Sequence, residues 1–141
     1  MKPRHVCMLA YSFYTFDNRV RRYAETLARR GDDVEVIALR YTGRPAMEVI
    51  NSVRVFQIQR REKNERRRVS YFLRIVLFFV RSMVFLTRRH LRKPYDLLHV
   101  HSIPDFLVFA AWLPKLLGAK IILDIHDLLP EYYAKIGRAH V

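Results

Sequence analysis

The chain has 141 residues, 51% of them apolar and only four glycine, which sets one packed domain against either a disordered segment or a two-domain enzyme. Its formal charge of +13 requires an anionic partner or surface nearby, whether nucleic acid, acidic lipid or a phosphorylated small molecule. The one cysteine, Cys7 in an apolar run, excludes an internal disulfide framework, and the short apolar start without a small-residue cleavage site argues against a secretory signal, so the expectation is a cytoplasmic chain.

In chain order, residues 5–10 predict a short buried strand. Asp17 caps the helix that follows, in which Val20, Tyr23, Ala24 and Leu27 keep the i, i+3, i+4, i+7 spacing, and Gly31 stops it. Residues 34–39 predict a second strand. The opening is therefore a βαβ unit, whose strands are parallel and joined by a right-handed crossover. Residues 42–45 predict a turn, and residues 53–58 a third, weaker strand ahead of the charge run RREKNERRR at 60–68, a solvated loop.

From Val69 to Arg92 the chain is apolar apart from Ser70, Arg74, Arg81, Ser82 and a basic end, and Arg74, Arg81 and Arg88 recur every seven residues along one helical stripe. Eleven Leu, Ile, Val and Phe residues between Phe72 and Leu86 favour membrane insertion by roughly 3 to 7 kcal/mol, while two central arginines oppose it by about 5 to 7. Insertion breaks even, which ranks it below a helix packed on the sheet with its arginines in water. A sharper reading lays this helix and the 60–68 loop against an anionic membrane surface.

Residues 95–101 predict a fourth strand. Ser102 with Asp105 forms a capping pair for a helix from 103 or 104 towards Leu117, which Pro114 kinks or interrupts and Gly118 ends. Residues 119–125 suit a fifth strand buried on both faces. The pattern βαββαβαβ predicts a doubly wound α/β fold, a Rossmann-like parallel sheet with helices on both faces and strand order 3-2-1-4-5.

In such sheets ligands bind outside the carboxyl ends of the strands, where the order reverses. Three loops converge there: residues 11–19, His101 with Ser102, and residues 126–131. The helix starting near Asn18 aims its positive dipole end at the same cleft, which suits an anion. Each candidate also has a plainer role. His99 and His101 share one face of their strand, and one or both can be hydrogen-bonded residues under a helix; Asp124 can be a structural acceptor; Pro130 and Glu131 can simply start a helix. His99 and His101 with His126, Asp127 or Glu131 offer zinc or iron ligands, and this makes a metal-dependent hydrolase using His99, His101, His126 and Asp127 the second functional reading. Nucleic acid is disfavoured as partner, because no binding motif is recognisable and the aromatics fall in core elements.

Three segments, DNRVRRYAETLARRGDDVEVIAL, YDLLHVHSIPD and AKIILDIHDLLPEYY, stand in an order that resembles the N-terminal domain of family 4 glycosyltransferases, retaining enzymes of the GT-B fold. The resemblance covers residues 4–135, taken as one acceptor-side Rossmann-like domain, 1–135, that is the N-terminal half of such a fold. It implies transfer of a sugar from a nucleotide diphosphate sugar, as co-substrate, to a glycan or lipid-linked acceptor, with no cofactor and no obligatory metal. By the same resemblance His126 is the catalytic candidate, contacting the transferred sugar. Asp17, Asn18, Arg19, His101, Asp127 and Glu131 form the substrate-binding set. The first loop lacks the glycine pair of many relatives, which argues against donor-phosphate contact from residues 11–17. An enzyme of this kind is expected in the cytoplasm, peripheral on the inner face of the cell membrane. Residues 136–141, IGRAHV, read as the translation of ATC GGA AGA GCA CAC GTC, which looks like a common sequencing adapter. The expectation is that the natural sequence diverges after about Lys135.

Overall fold

The first strand, β1 (His5–Phe13), is buried along its first seven residues, as an apolar run flanked on both faces must be. Its side chains alternate between two cores, Cys7, Leu9 and Tyr11 on one face and Met8 and Ala10 on the other. The structure is a computed structural model that describes residues 2–61, 68–101 and 104–125. Beside β1 lie β2 (Asp33–Arg40) on one side and β5 (Leu97–His101) on the other, both parallel to it. With β3 (Met47–Ile50), β4 (Val53–Arg60) and β6 (Lys120–Asp124), the sheet order is β3-β4-β2-β1-β5-β6. Leaving β3 aside, this is the expected order, with reversal at β1.

Helix α1 (Asn18–Arg29) covers one face, burying Val20 and Ala24 against Met8, Val34, Val36 and Val55. Asp17 is its N-cap: Oδ1 accepts from the Val20 amide at 3.2 Å, and Oδ2 accepts from the Ser12 hydroxyl at 2.8 Å. The helix closes at Gly31, whose φ of +101° only glycine adopts readily, with the Asp32 amide donating back to the Leu27 carbonyl at 3.1 Å.

The opposite face carries α2 (Arg68–Arg92) and a 3-10 helix (Asp105–Ala111) that runs into the short α3 (Trp112–Leu116). Ile75, Phe78, Ser82, Leu86 and His90 are the buried positions of α2, at helical spacing, and they settle on Cys7, Leu9, Ile37 and Leu98. By length and hydropathy α2 could also cross a membrane. Here it packs on the sheet, as the first-ranked reading of residues 69–92 has it, with Arg81 and Arg88 exposed and Arg74 half-buried.

Two expectations need correction. The sheet is not purely parallel: β3 pairs antiparallel with β4 through a two-residue turn in which Asn51 and Ser52 take φ of 49° and 66°. That is the twist a tight hairpin needs, carried by Asn-Ser instead of the usual Asn-Gly. The helix expected from 103 or 104 is instead a 3-10 segment begun by Pro104 without a side-chain cap, and regular α geometry starts only at Trp112. Pro114 lacks the amide that would bond the Ala110 carbonyl, which fits the break at this point. Ser102 lies outside the described residues.

At the amino ends of the strands, Glu35 is fully buried beneath α2. Its Oε2 accepts from the Tyr95 hydroxyl at 2.6 Å and the Arg89 Nε at 2.9 Å, and its Oε1 faces the Arg54 Nη2 at 2.9 Å and the His5 Nε2 at 3.4 Å. Burial pushes this carboxyl up, but the bonds from His5, Arg89 and Tyr95 outweigh it and hold the group well below the usual carboxylate range. Removing one partner of such a set costs about 3 kcal/mol, so Glu35→Gln is expected to lower the urea midpoint at neutral pH by that equivalent. The contribution of a depressed carboxyl is complete above its unfolded value and fades as the pH falls towards its folded one. The gap between parent and variant should therefore narrow between about pH 5 and pH 3. A gap independent of pH would show that the ionised carboxylate is not what the fold uses.

Candidate active site

The carboxyl ends of β1, β5 and β6 meet where the strand order reverses, and the N-terminus of α1 rises beside them. Because side chains alternate along β5, His99 and His101 both point to the α1 side, with rings 4.3 Å apart and tilted by 25°. The parallel register sets His101 opposite Asp124. This brings the Asp124 Oδ2 to 3.5 Å from the His101 Nδ1 and 3.8 Å from the His99 Nε2. Tyr23 of α1 lies over both rings, 5.5 Å from His99 and 6.1 Å from His101.

Burial disfavours the charged form of both imidazoles. For His101 it is joined by the neighbouring His99, opposed by Asp124 and Asp17, and the net effect is a pKa lowered to about 4. His99 is lowered too, by burial, against the pull of Asp124. Both rings are thus neutral near pH 7, each with one N–H donor and one acceptor nitrogen.

The structure brings together some of the expected site residues. His101 is buried at the strand end, with Asp17 and Arg19 close enough for their charges to act on it. Asp17 itself is engaged as the helix cap, each carboxylate oxygen accepting a hydrogen bond from within the chain. Asn18 and Arg19 are exposed at the first turn of α1, with Asn18 Oδ1 accepting from Arg21 at 3.2 Å. His126, Asp127 and Glu131 lie outside the described residues. His99 is half-buried under α1, against Tyr23.

Two members of the cluster were not assigned by the sequence. Tyr23 counted only as an apolar position of α1, and Asp124 only as a structural acceptor. The signal for Asp124 was present, since two parallel strands ending in His-x-His and Asp at matching positions must bring the three side chains to one face. The same trio bears on metal binding. One ligand atom each from His99, His101 and Asp124 lie within 4.8 Å of one another, so the described part of a metal set is this trio and not His99 and His101 alone. Tetrahedral zinc with bonds of about 2.0–2.1 Å would hold its ligands about 3.3 Å apart, so the trio would have to contract slightly to close on an ion.

The fold has relatives among solved structures. A sucrose-phosphate synthase from Thermosynechococcus elongatus superposes with a TM-score of 0.69 at 15% identity, over 93% of this chain and 35% of that one. A second structure of sucrose-phosphate synthase from the same organism gives 0.59 at 17% identity, over 89% of this chain and 64% of that one. The chain thus spans about a third of the first structure's length, and at these identities the likeness is one of fold, a Rossmann-like half of the GT-B kind. No curated protein matches the chain. A family profile for glycosyl transferase 4-like domains matches residues 17–140, from the cap of α1 through the His-x-His strand and β6, and the chain belongs to that family.

Proposed function

We propose that the chain forms the acceptor-side wall of a retaining glycosyltransferase cleft, in which a sugar passes from a nucleotide diphosphate sugar to a glycan or lipid-linked acceptor. The observation that carries this reading is the pair of neutral imidazoles, His99 and His101, at the carboxyl end of the sheet beside the start of α1. Neutral donor–acceptor groups suit sugar hydroxyls, which both give and take hydrogen bonds, while the positive end of α1 and Arg19 suit a phosphate. In the reaction the bond from the anomeric carbon to the diphosphate oxygen breaks and one to the acceptor oxygen forms on the same face. The nucleoside diphosphate leaves with the bonding electrons, and its departing oxygen takes the proton that the acceptor hydroxyl gives up. His126, next after Ile125 beyond β6, is the group proposed to hold the sugar hydroxyls or to stabilise charge developing at the reacting centre. No cofactor and no obligatory metal is proposed, and Asp127 and Glu131 are assigned to substrate binding.

The chain is further proposed to work in the cytoplasm, against the membrane. Phe72, Leu73, Leu77, Val80, Met83 and Val84 are exposed along α2. Arginines at 68, 74, 81, 88 and 92 accompany them, the arrangement of a helix lying in an anionic interface.

Three measurements bear on this. Positioning two substrates accounts for about 7 to 11 kcal/mol of a barrier, so one wall of the cleft is expected to give no turnover with any nucleotide diphosphate sugar. In an enzyme that also carries a donor-binding half, His126→Ala should lose about a hundredfold in rate and His101→Ala about tenfold. Turnover by this chain alone, or a fully active His126→Ala, would remove the assignment. The second measurement is metal content after purification without chelator. The transferase reading expects less than stoichiometric zinc or iron, whereas one ion per chain that is lost in His99→Ala and His101→Ala would favour the metal-dependent hydrolase. Thirdly, vesicles containing phosphatidylglycerol should sediment the chain at low salt and release it at high salt. Equal, salt-independent partitioning onto phosphatidylcholine vesicles would leave the basic face without that role.

A further inference from the structure

The arginine stripe of α2 borders a groove that the sugar site does not use. The helix begins near β1's carboxyl end, where Tyr71 meets Tyr11, and ends near the amino end of β2, where Arg89 meets Glu35. It therefore runs opposite to the strands, and one flank faces the carboxyl-terminal half of β4. Two cavities lie along that flank and share Ile58 and Arg81. The first, of about 350 Å³, is lined by Arg40, Arg60, Arg74 and Arg81 with Gln59, Ile58 and Leu77. The second, of about 500 Å³, is lined by Ile58, Val80, Val84 and Phe85, with arginines at its rim. Among the described residues no carboxylate lines either cavity.

The two halves differ in chemistry. In the first, Arg40, Arg60 and Arg81 have no ion-pair partner among the described residues, and the Nε of Arg40 is buried without a hydrogen-bond acceptor. Guanidinium groups brought this close repel one another, and an anion between them relieves that repulsion while accepting their donors. Their planar forks match phosphate oxygens better than a single point charge does. The second half has Val80, Val84 and Phe85 partly open to solvent beside the sheet, and only an apolar occupant removes that surface from water. At the usual helical rise, the stretch of α2 from Arg74 to Arg88 is about 21 Å long, room for a head and a chain placed end to end.

We propose that the groove between α2 and β4 binds an amphiphilic phosphate or diphosphate ester. Its anionic head lies between Arg40, Arg60, Arg74 and Arg81, and its hydrocarbon chain lies over Ile58, Val80, Val84 and Phe85. The transferase reading is needed only for casting such an ester as the lipid-linked acceptor. Binding is measured without sugar transfer, so the groove and that reading fail separately.

The test is calorimetric titration of the full chain with decyl phosphate below its micelle concentration, with inorganic pyrophosphate and with 1-decanol. Decyl phosphate is expected to bind at least about tenfold more tightly than either of the others, because only it fills both halves. Arg40→Gln with Arg81→Gln should weaken decyl phosphate by about tenfold or more, since charged hydrogen bonds are lost. Val84→Asp should weaken decyl phosphate and leave pyrophosphate unchanged. Arg22→Gln with Arg29→Gln, on α1 across the sheet, should change nothing. Pyrophosphate binding as tightly as decyl phosphate would overturn the amphiphile, and an unaffected Arg40/Arg81 double variant would overturn the groove. The Arg40 Nε–H resonance of the unsubstituted chain gives a reading that does not depend on a variant folding. A shift on adding decyl phosphate is expected, and no shift at saturation would overturn the site.

Discussion

A single buried carboxylate, Glu35, orders the architecture. Isolating an ionised group from water costs several kcal/mol, and only a full set of donors offsets it. Those donors come from four separate parts of the chain: His5 on β1, Arg54 on β4, Arg89 on α2 and Tyr95 just before β5. Around it, Asp33 accepts from Arg54 and from Lys93, each at 2.6 Å, and His5 Nδ1 lies 3.0 Å from the Pro94 carbonyl oxygen. Three strands, the end of α2 and the entry to β5 are thus tied at the amino ends of the strands. The carboxyl ends, where β5 presents His99 and His101 beside Asp124 of β6, are left free of that constraint. The charge cluster that fixes the fold and the histidine cluster occupy opposite ends of one sheet.

The same tie explains how α2 is held. Arg89 reaches Glu35 while its guanidinium carbon lies 4.5 Å from the centre of the Phe56 ring, and Phe56 in turn meets Phe85 at 5.0 Å. At the other end of the contact the Gln59 side-chain amide donates to the Arg74 carbonyl at 2.9 Å. Anchored at both ends against β2 and β4, α2 keeps Ile75, Phe78 and Leu86 in the core and turns Arg81 and Arg88 outward. The position of the groove is therefore a consequence of packing.

What could be read in the sequence was what depends on near neighbours. The cap at Asp17, the stop at Gly31, the apolar runs of β1 and β2, the alternation along β5 and the strand order all follow from local pattern together with the handedness of crossovers. The β3 hairpin escaped because Met47 and Val49 are exposed and its turn carries no glycine, so neither burial nor the usual turn signal marks it. Glu35 reads as the one charged residue in an apolar strand, yet its partners are 54 residues away at Arg89 and 60 at Tyr95. No periodicity encodes such a meeting. At the site, the shared face of His99 and His101 was legible from alternation alone, whereas Asp124 needed the register between β5 and β6, and Tyr23 needed the rotation of α1 about its axis.

The competition between a packed and a membrane-crossing α2 is decided by the same contacts. On transfer energies alone, the apolar residues of this helix and its central arginines leave insertion near break-even. Packing adds terms that transfer scales omit. Lifting α2 away would expose the core surface now beneath Ile75, Phe78 and Leu86, each such side chain contributing about 1.5 to 3 kcal/mol by burial. It would also strand Glu35 without Arg89, at a further cost of about 3 to 5 kcal/mol. Against a transfer energy near zero, these losses hold the helix on the sheet. The exposed apolar residues of its outer face remain available at no cost to the core, so contact with a lipid surface and the packed fold are compatible, whereas insertion and the packed fold are not.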